Sequence, residues 1–130
     1  MPSACLPWWA ALRSGGPSDE ARGTGLLVRI YLGESDQWHG RPLYQAIVEH
    51  LRRHGLAGAT VLRGIEGFGA KQHLHSTRIL SLSEDLPILI ETVDTEKKIR
   101  AVLPDLDNMV ADGLITLERV EIISYRSGSA

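Results

Sequence analysis

ATVLRGIEGFGAKQHLHS, Ala59 to Ser76, is the stretch from which the rest of the chain can be ordered. A β-branched and apolar run, Thr60 to Leu62 with Ile65 further on, leads into Gly64, Gly67 and Gly69, and then into a polar segment carrying Lys71, His73 and His75. This pattern predicts a strand that opens into a cationic loop. Closely spaced glycines permit backbone angles that other residues avoid, and they let another group approach the main chain. Ligand recognition is expected there.

Upstream, Leu26 to Leu32 reads as a strand. Leu26, Val28, Ile30 and Leu32 share one side, and Leu27, Arg29 and Tyr31 share the other. Both sides are mostly apolar, so both faces of this strand should be covered. GESDQWHGRP, Gly33 to Pro42, is a polar loop ending in a proline suited to the first position of a helix. Leu43, Ile47 and Leu51, flanked by Tyr44 and Val48, then form one apolar stripe with Glu49, Arg52 and Arg53 outside it, and Gly55 supplies the stop.

Downstream, Thr77 to Leu82 alternates weakly and Ser83 to Pro87 reads as a turn. Ile88 to Val93 is apolar on both sides, which marks a central strand. Asp94 or Thr95 can cap the next helix through a side-chain oxygen, and Ile99, Val102, Leu103, Leu106, Met109 and Val110 recur at helical spacing up to Gly113. Pro104 falls inside that pattern and predicts one bent helix. In the last element, Leu114 to Tyr125, Ile115 and Leu117 keep one phase while Val120 and Ile122 keep the other, which predicts a bulge near Glu118. The order is β-α-β-β-α-β, an α+β ferredoxin-like sandwich with a four-stranded antiparallel sheet and two helices on one face. The opposite face carries apolar side chains that two helices cannot cover. Burial against another copy of the chain, or against the N-terminal segment, is the expected solution.

The chain has 130 residues, 43% of them hydrophobic and 23% charged, which suits one domain. Residues 26–125 are assigned to it, with 1–25 as a flexible N-terminal extension and 126–130 as a tail. A formal net charge of -2 argues against a general nucleic-acid binder. Cys5 stands alone, so no disulfide within the chain and no cysteine-based zinc site can form. The extension holds Pro2, Pro7, Pro17 and an apolar patch with Trp8 and Trp9, but lacks the charged start and long apolar run of a secretory signal. A cytoplasmic protein is expected.

GESDQWHGRPLYQAIVEHLRRHGLAGATVLRGIEGFG, followed by SLSEDLPILIETVD and the second helix, resembles the uncharacterised PII-like family of bacterial and archaeal proteins. The resemblance covers about Leu26 to Ile123. It implies a ferredoxin-like fold related to the nitrogen-regulatory PII proteins and to the divalent-cation-tolerance CutA proteins, usually assembled as trimers. It also implies ligands held in clefts between subunits near the long loop after the second strand. In PII proteins that loop is the T-loop, the ligand is commonly an adenine nucleotide, and the output is contact with a transporter or an enzyme.

Gly67, Phe68, Gly69 and Ala70 fall where such a loop would leave its strand, so their backbone amides are candidates to receive a phosphate, with Arg63, Lys71 and Arg78 adding positive charge. Spacing alone also fits glycines that only permit a turn. Gly64 to Gln72 lacks the GK[ST] ending of a phosphate-hydrolysing P-loop. The loop from Phe68 to Thr77 contains no tyrosine, so the uridylylation site of PII proteins has no counterpart. Glu34 and His39 in the GESDQWHG loop are further ligand candidates beside a helix N-terminus. Local turn capping by Ser35 or Asp36 fits that loop better than catalysis does.

His73 and His75 would point the same way from an extended segment and are candidate divalent-metal ligands, with His39 or Glu34 completing the set. His50 and His54 are one helical turn apart, a second pair that lacks a third ligand in the sequence. Ser35 has no nucleophile elbow, and Glu84 and Asp85 sit in a turn with no apolar setting, so the sequence argues against an enzyme. The expected function is a trimeric PII-like signalling protein that senses an adenine nucleotide or another small anion in an intersubunit cleft. Its output would pass to a membrane transporter or enzyme. A divalent-metal-binding CutA-like protein is the alternative.

Overall fold

The computed structural model describes residues 23–69, 75–76 and 85–126. Four strands form one antiparallel sheet: β1 (Thr24–Gly33), β4 (Thr60–Arg63), β7 (Pro87–Asp94) and β8 (Leu114–Glu121), in the spatial order β4-β7-β1-β8. Two helices, α1 (Leu43–Arg53) and α2 (Glu96–Met109), complete the β-α-β-β-α-β order. This is the ferredoxin-like arrangement expected from the sequence. Two short ribbons are added to it, β2 (Gln37–Trp38) with β3 (Arg41–Pro42), and β5 (Glu66–Gly67) with β6 (His75–Ser76).

Register decides what each side chain does, because residues directly opposite one another in a sheet share a face. Leu26, Val28, Ile30 and Leu32 lie opposite Asp94, Thr92, Ile90 and Ile88, and all eight are buried. The helices close this face. α1 contributes Leu43, Ala46, Ile47 and Leu51, and α2 contributes Ile99, Val102, Leu106 and Met109, each set recurring at helical spacing.

One end of each helix has an identifiable cap. At the end of α1, Gly55 adopts φ +75°, its amide donates to Arg52, and the Leu56 amide donates to Leu51 over a longer loop. That paired geometry is a Schellman cap and needs a residue tolerant of positive φ. At the start of α2, the Thr95 side chain accepts from the Lys98 amide, 3.3 Å away. Pro104 sits inside α2 without interrupting it. The donor it lacks would serve Arg100, an exposed position where solvent can take the carbonyl.

The predicted bulge near Glu118 is not formed. Thr24 to Tyr31 pair with Glu121 to Leu114 in unbroken register. The change of apolar phase has a chemical cause instead. Ile115, Leu117 and Arg119 all lie on the helix face of β8, and Arg119 is tolerated there because its guanidinium donates to both oxygens of Glu96 at 3.0 and 3.2 Å. With a cation at that place, Val120 carries the apolar pattern on the other face. Two boundaries also shift: β1 begins at Thr24, and α2 ends at Met109, ahead of Gly113. Among the described residues, no helix is long and apolar enough to cross a membrane.

Candidate functional site

β7 reads PILIETVD, and strict alternation puts Thr92 and Asp94 on its buried side after Ile88 and Ile90. Buried polar groups need partners, and these two find them in the turn between α1 and β4. The Asp94 carboxylate, fully shielded from solvent, accepts from the amides of Ala57 and Thr95, each at 2.7 Å. The Thr92 hydroxyl donates to the Gly58 carbonyl at 2.6 Å. From the C-terminal segment, the Tyr125 hydroxyl donates to the Ala57 carbonyl at 3.1 Å. Burial, and then the nearby Asp94 charge, push the Tyr125 phenol above its ordinary pKa and keep it a donor. The backbone at Ala57 and Gly58 is thereby held by three side chains. It borders an open cleft of about 500 Å³ whose other walls include Leu27, Val93, Ile122 and Arg126.

The other end of β4 carries the residues anticipated from sequence. Arg63 and Glu34 are brought together, but as an ion pair with each other. Gly64 and Gly67 both lie against the Pro87 ring: a Cβ on Gly64 would come within 2.7 Å of it, and one on Gly67 within 3.1 Å. Packing against Pro87 is thus sufficient reason for those two glycines. Around Gly69, by contrast, a Cβ would meet nothing within 4 Å. Phe68 is 70% exposed and Ile65 78%, so two large apolar side chains stand in solvent beside the loop. β5 and β6 pair Glu66 with Ser76 and Gly67 with His75, which closes the base of the loop as a ribbon.

His39 is held in a turn. It has φ +51° and Gly40 has φ +79°, the pair of positive angles that a tight two-residue hairpin between β2 and β3 requires. Its ring stacks on Trp38 with centroids 4.4 Å apart. Asp36 accepts from the Gly33 amide at 3.0 Å, and its own carbonyl accepts from Leu43 at 2.8 Å, which serves the first turn of α1. Pro42 is the last residue before that helix. Ala70, Lys71, His73 and Arg78 lie outside the described residues, as does the side chain of His75, together with most of residues 1–25 and the Thr77 to Leu82 segment.

Sequence reasoning missed Asp94 as an anchor, reading it only as a helix cap, and missed Thr92 and Tyr125 altogether. The signal for the first two was present, since a threonine and an aspartate continuing a buried phase must be bonded to something.

The sequence profile of the DUF190 family, described as an uncharacterized ACR, matches residues 25–122. A UPF0166 protein of Aquifex aeolicus is 37% identical over 97 residues, a match covering 75% of this chain and 91% of that protein. A UPF0166 protein of Methanocaldococcus jannaschii is 40% identical over 92 residues, covering 70% of this chain and 84% of the relative. Among solved structures, CPII, a nitrogen regulatory PII-like protein from Thiomonas intermedia K12 bound to ADP, AMP and bicarbonate, superposes with a TM-score of 0.58 at 17% identity, covering 75% of this chain and 86% of CPII. Another structure of CPII with the same ligands gives a TM-score of 0.55 at 14% identity, covering 75% and 92%. At such identities the likeness is one of fold.

Proposed function

Since the chain belongs to the DUF190 family and has the fold of the PII-like proteins, we propose that it is a cytoplasmic regulatory protein, not an enzyme, that binds an adenine nucleotide or related small anion between subunits of a homotrimer. The observation that carries this reading is an open cleft, lined by Thr60, Ser124 and Arg126, whose wall at Ala57 and Gly58 is held in place by Asp94, Thr92 and Tyr125. Preformed sites with a few well-held polar groups lose little entropy on binding. That cleft and the Arg63–Glu34 pair lie at opposite ends of β4, four residues and so roughly 13 Å apart along an extended chain. Each is half a site, and a neighbouring copy supplies the complementary half. A phosphate would compete with Glu34 for the Arg63 guanidinium, drawing Gly67, Phe68 and Gly69 and the loop residues Lys71 and Arg78 toward it. Ligand that contacts only the ordered loop shifts its population, and the loop then presents or withholds a surface for a membrane transporter or an enzyme. CPII, a neighbour in fold, was solved with ADP and AMP, which supports an adenine nucleotide as the first ligand to try.

Thermal unfolding of the full chain against ATP, ADP, AMP and divalent metals, with oligomer mass recorded in parallel, tests this. An adenine nucleotide raises the midpoint. Arg63→Ala weakens that affinity about tenfold or more, as loss of a charged hydrogen bond does, whereas Glu34→Gln strengthens it by leaving Arg63 available. No rise with any nucleotide overturns the reading. A rise with metal alone that His73→Ala and His75→Ala remove would establish the CutA-like alternative.

A further inference from the structure

The pair His50 and His54, left without a third ligand by the sequence, acquires one in the fold. Among the described residues, candidate ligand atoms of His50, His54 and Asp105 all lie within 4.8 Å of one another. Asp105 comes from α2, so two helices contribute. His50 Nε2 is 2.9 Å from Asp105 Oδ2, and the two imidazole rings have centroids 4.1 Å apart. We propose that His50, His54 and Asp105 form a binding site for a divalent transition metal, zinc in the first instance, that ties the end of α1 to α2. This site is separate from the anion cleft and does not depend on it.

Four features support the site. First, the donor set is two imidazoles and one carboxylate, which suits zinc, nickel or copper and discriminates against magnesium and calcium, ions that prefer oxygen throughout. Second, tetrahedral coordination at about 2.0–2.1 Å spaces neighbouring ligand atoms about 3.3 Å apart, so the His50–Asp105 separation need open by only a few tenths of an ångström. Third, His54 Nδ1 lies 2.9 Å from the His50 carbonyl, which can only accept; Nδ1 therefore carries the proton, and the lone pair is on Nε2. A histidine whose other nitrogen donates to a carbonyl is oriented as metal-binding histidines are. Fourth, His50 lies in the last turn of α1, where the unpaired carbonyls favour a cation.

The surroundings also suit an exchangeable ion. The His50 side chain is 17% exposed and that of Asp105 51%, so a metal can enter and keep a water as its fourth ligand. When it binds, the proton between His50 Nε2 and Asp105 leaves for Nδ1 or for solvent, and the hydrogen bond is replaced by two coordination bonds.

The test uses the full chain in chelator-free buffer, titrated with zinc chloride by calorimetry and with cobalt(II) for its visible absorption. One zinc per chain is expected, with a thermal midpoint roughly 5 °C or more higher at saturating metal. His54→Ala and Asp105→Asn, both at exposed positions and each checked for an unchanged circular dichroism spectrum, should lower zinc affinity at least about tenfold. The double variant His73→Ala/His75→Ala should leave it unchanged. The proposal is overturned if zinc does not bind, if the first two variants bind as the parent does, or if the loop double variant abolishes binding.

Discussion

The two faces of the sheet are made by the same strands, yet the chain finishes only one of them. On the helix face, the two central strands are wholly buried at Val28, Ile30 and Ile90, and among the described residues the exposed apolar side chains are on the edge strands, Val61 at 39% and Leu117 at 37%. On the other, Tyr31 is 40% exposed, Val93 37% and Leu114 55%, around a central Arg29 that bonds Glu91 at 2.8 Å and Glu118 at 3.1 Å. Leu27 is the exception, buried beside Ile122 and Tyr125 where the C-terminal segment crosses that end of the sheet. The difference lies in covering material, since β1 is nearly as apolar on one side as on the other. Exposed apolar side chains gathered on one sheet face are a common mark of an interface. The Arg29 group gives such an interface a polar centre whose charges are already paired.

If the helix face is the folding core, its truncation has the largest effect. Ile90→Ala removes side-chain volume opposite both Ile30 and Val61 and should cost about 2–5 kcal/mol in urea unfolding. A loss below about 1 kcal/mol would mean that the two faces contribute alike, and the contrast would fail.

The open face should answer to a different measurement. Val93→Arg lies opposite Leu27 at an exposed position, so the folded subunit should lose little stability. If the proposed trimer forms through this face, its association should weaken by roughly two orders of magnitude, the ~3 kcal/mol that an unpaired buried charge costs. Sedimentation equilibrium would show the mass falling toward that of one chain. An unchanged mass would place any subunit contact elsewhere.

This contrast was legible in the sequence because alternation survives in any strand buried on one side or both. Leu26 to Leu32 announced a strand covered on both faces, Ile88 to Val93 announced a central one, and Gly55 announced the end of α1. What was not legible depends on distant partners. Arg119 broke the alternation of β8 because Glu96, on another element, accepts it, and a bulge was the local explanation available. Arg63 and Glu34 stand 29 positions apart and were read as separate ligand candidates. Gly64 and Gly67 both pack against Pro87, distant in sequence, and nothing in the local spacing announced that contact. Asp105 likewise carried no mark of the two histidines it meets across the helix pair.

The smallest effect expected concerns a place on the helix face where an exposed ion pair stands instead of apolar packing. Glu96 accepts from Arg119 of β8 and, at 2.7 Å, from Arg100 one turn further along α2, and these bonds, Arg119 foremost, lower its pKa from 4.5 to about 2. Because the folded-state value is the lower one, the stabilisation is complete above the unfolded value near 4.5. It is lost as pH falls from there through about 2. The carboxylate is solvent-exposed, so screening keeps the contribution small and salt-dependent. Glu96→Gln keeps the shape and an acceptor oxygen but removes the charge. The parent should therefore melt slightly above the variant at pH 6, the gap should narrow below pH 4.5, and it should close near pH 2 or in high salt. A gap that stays constant across that range would show that Arg119 is held on the helix face by hydrogen-bond geometry alone, and the face would then need no charge to accommodate it.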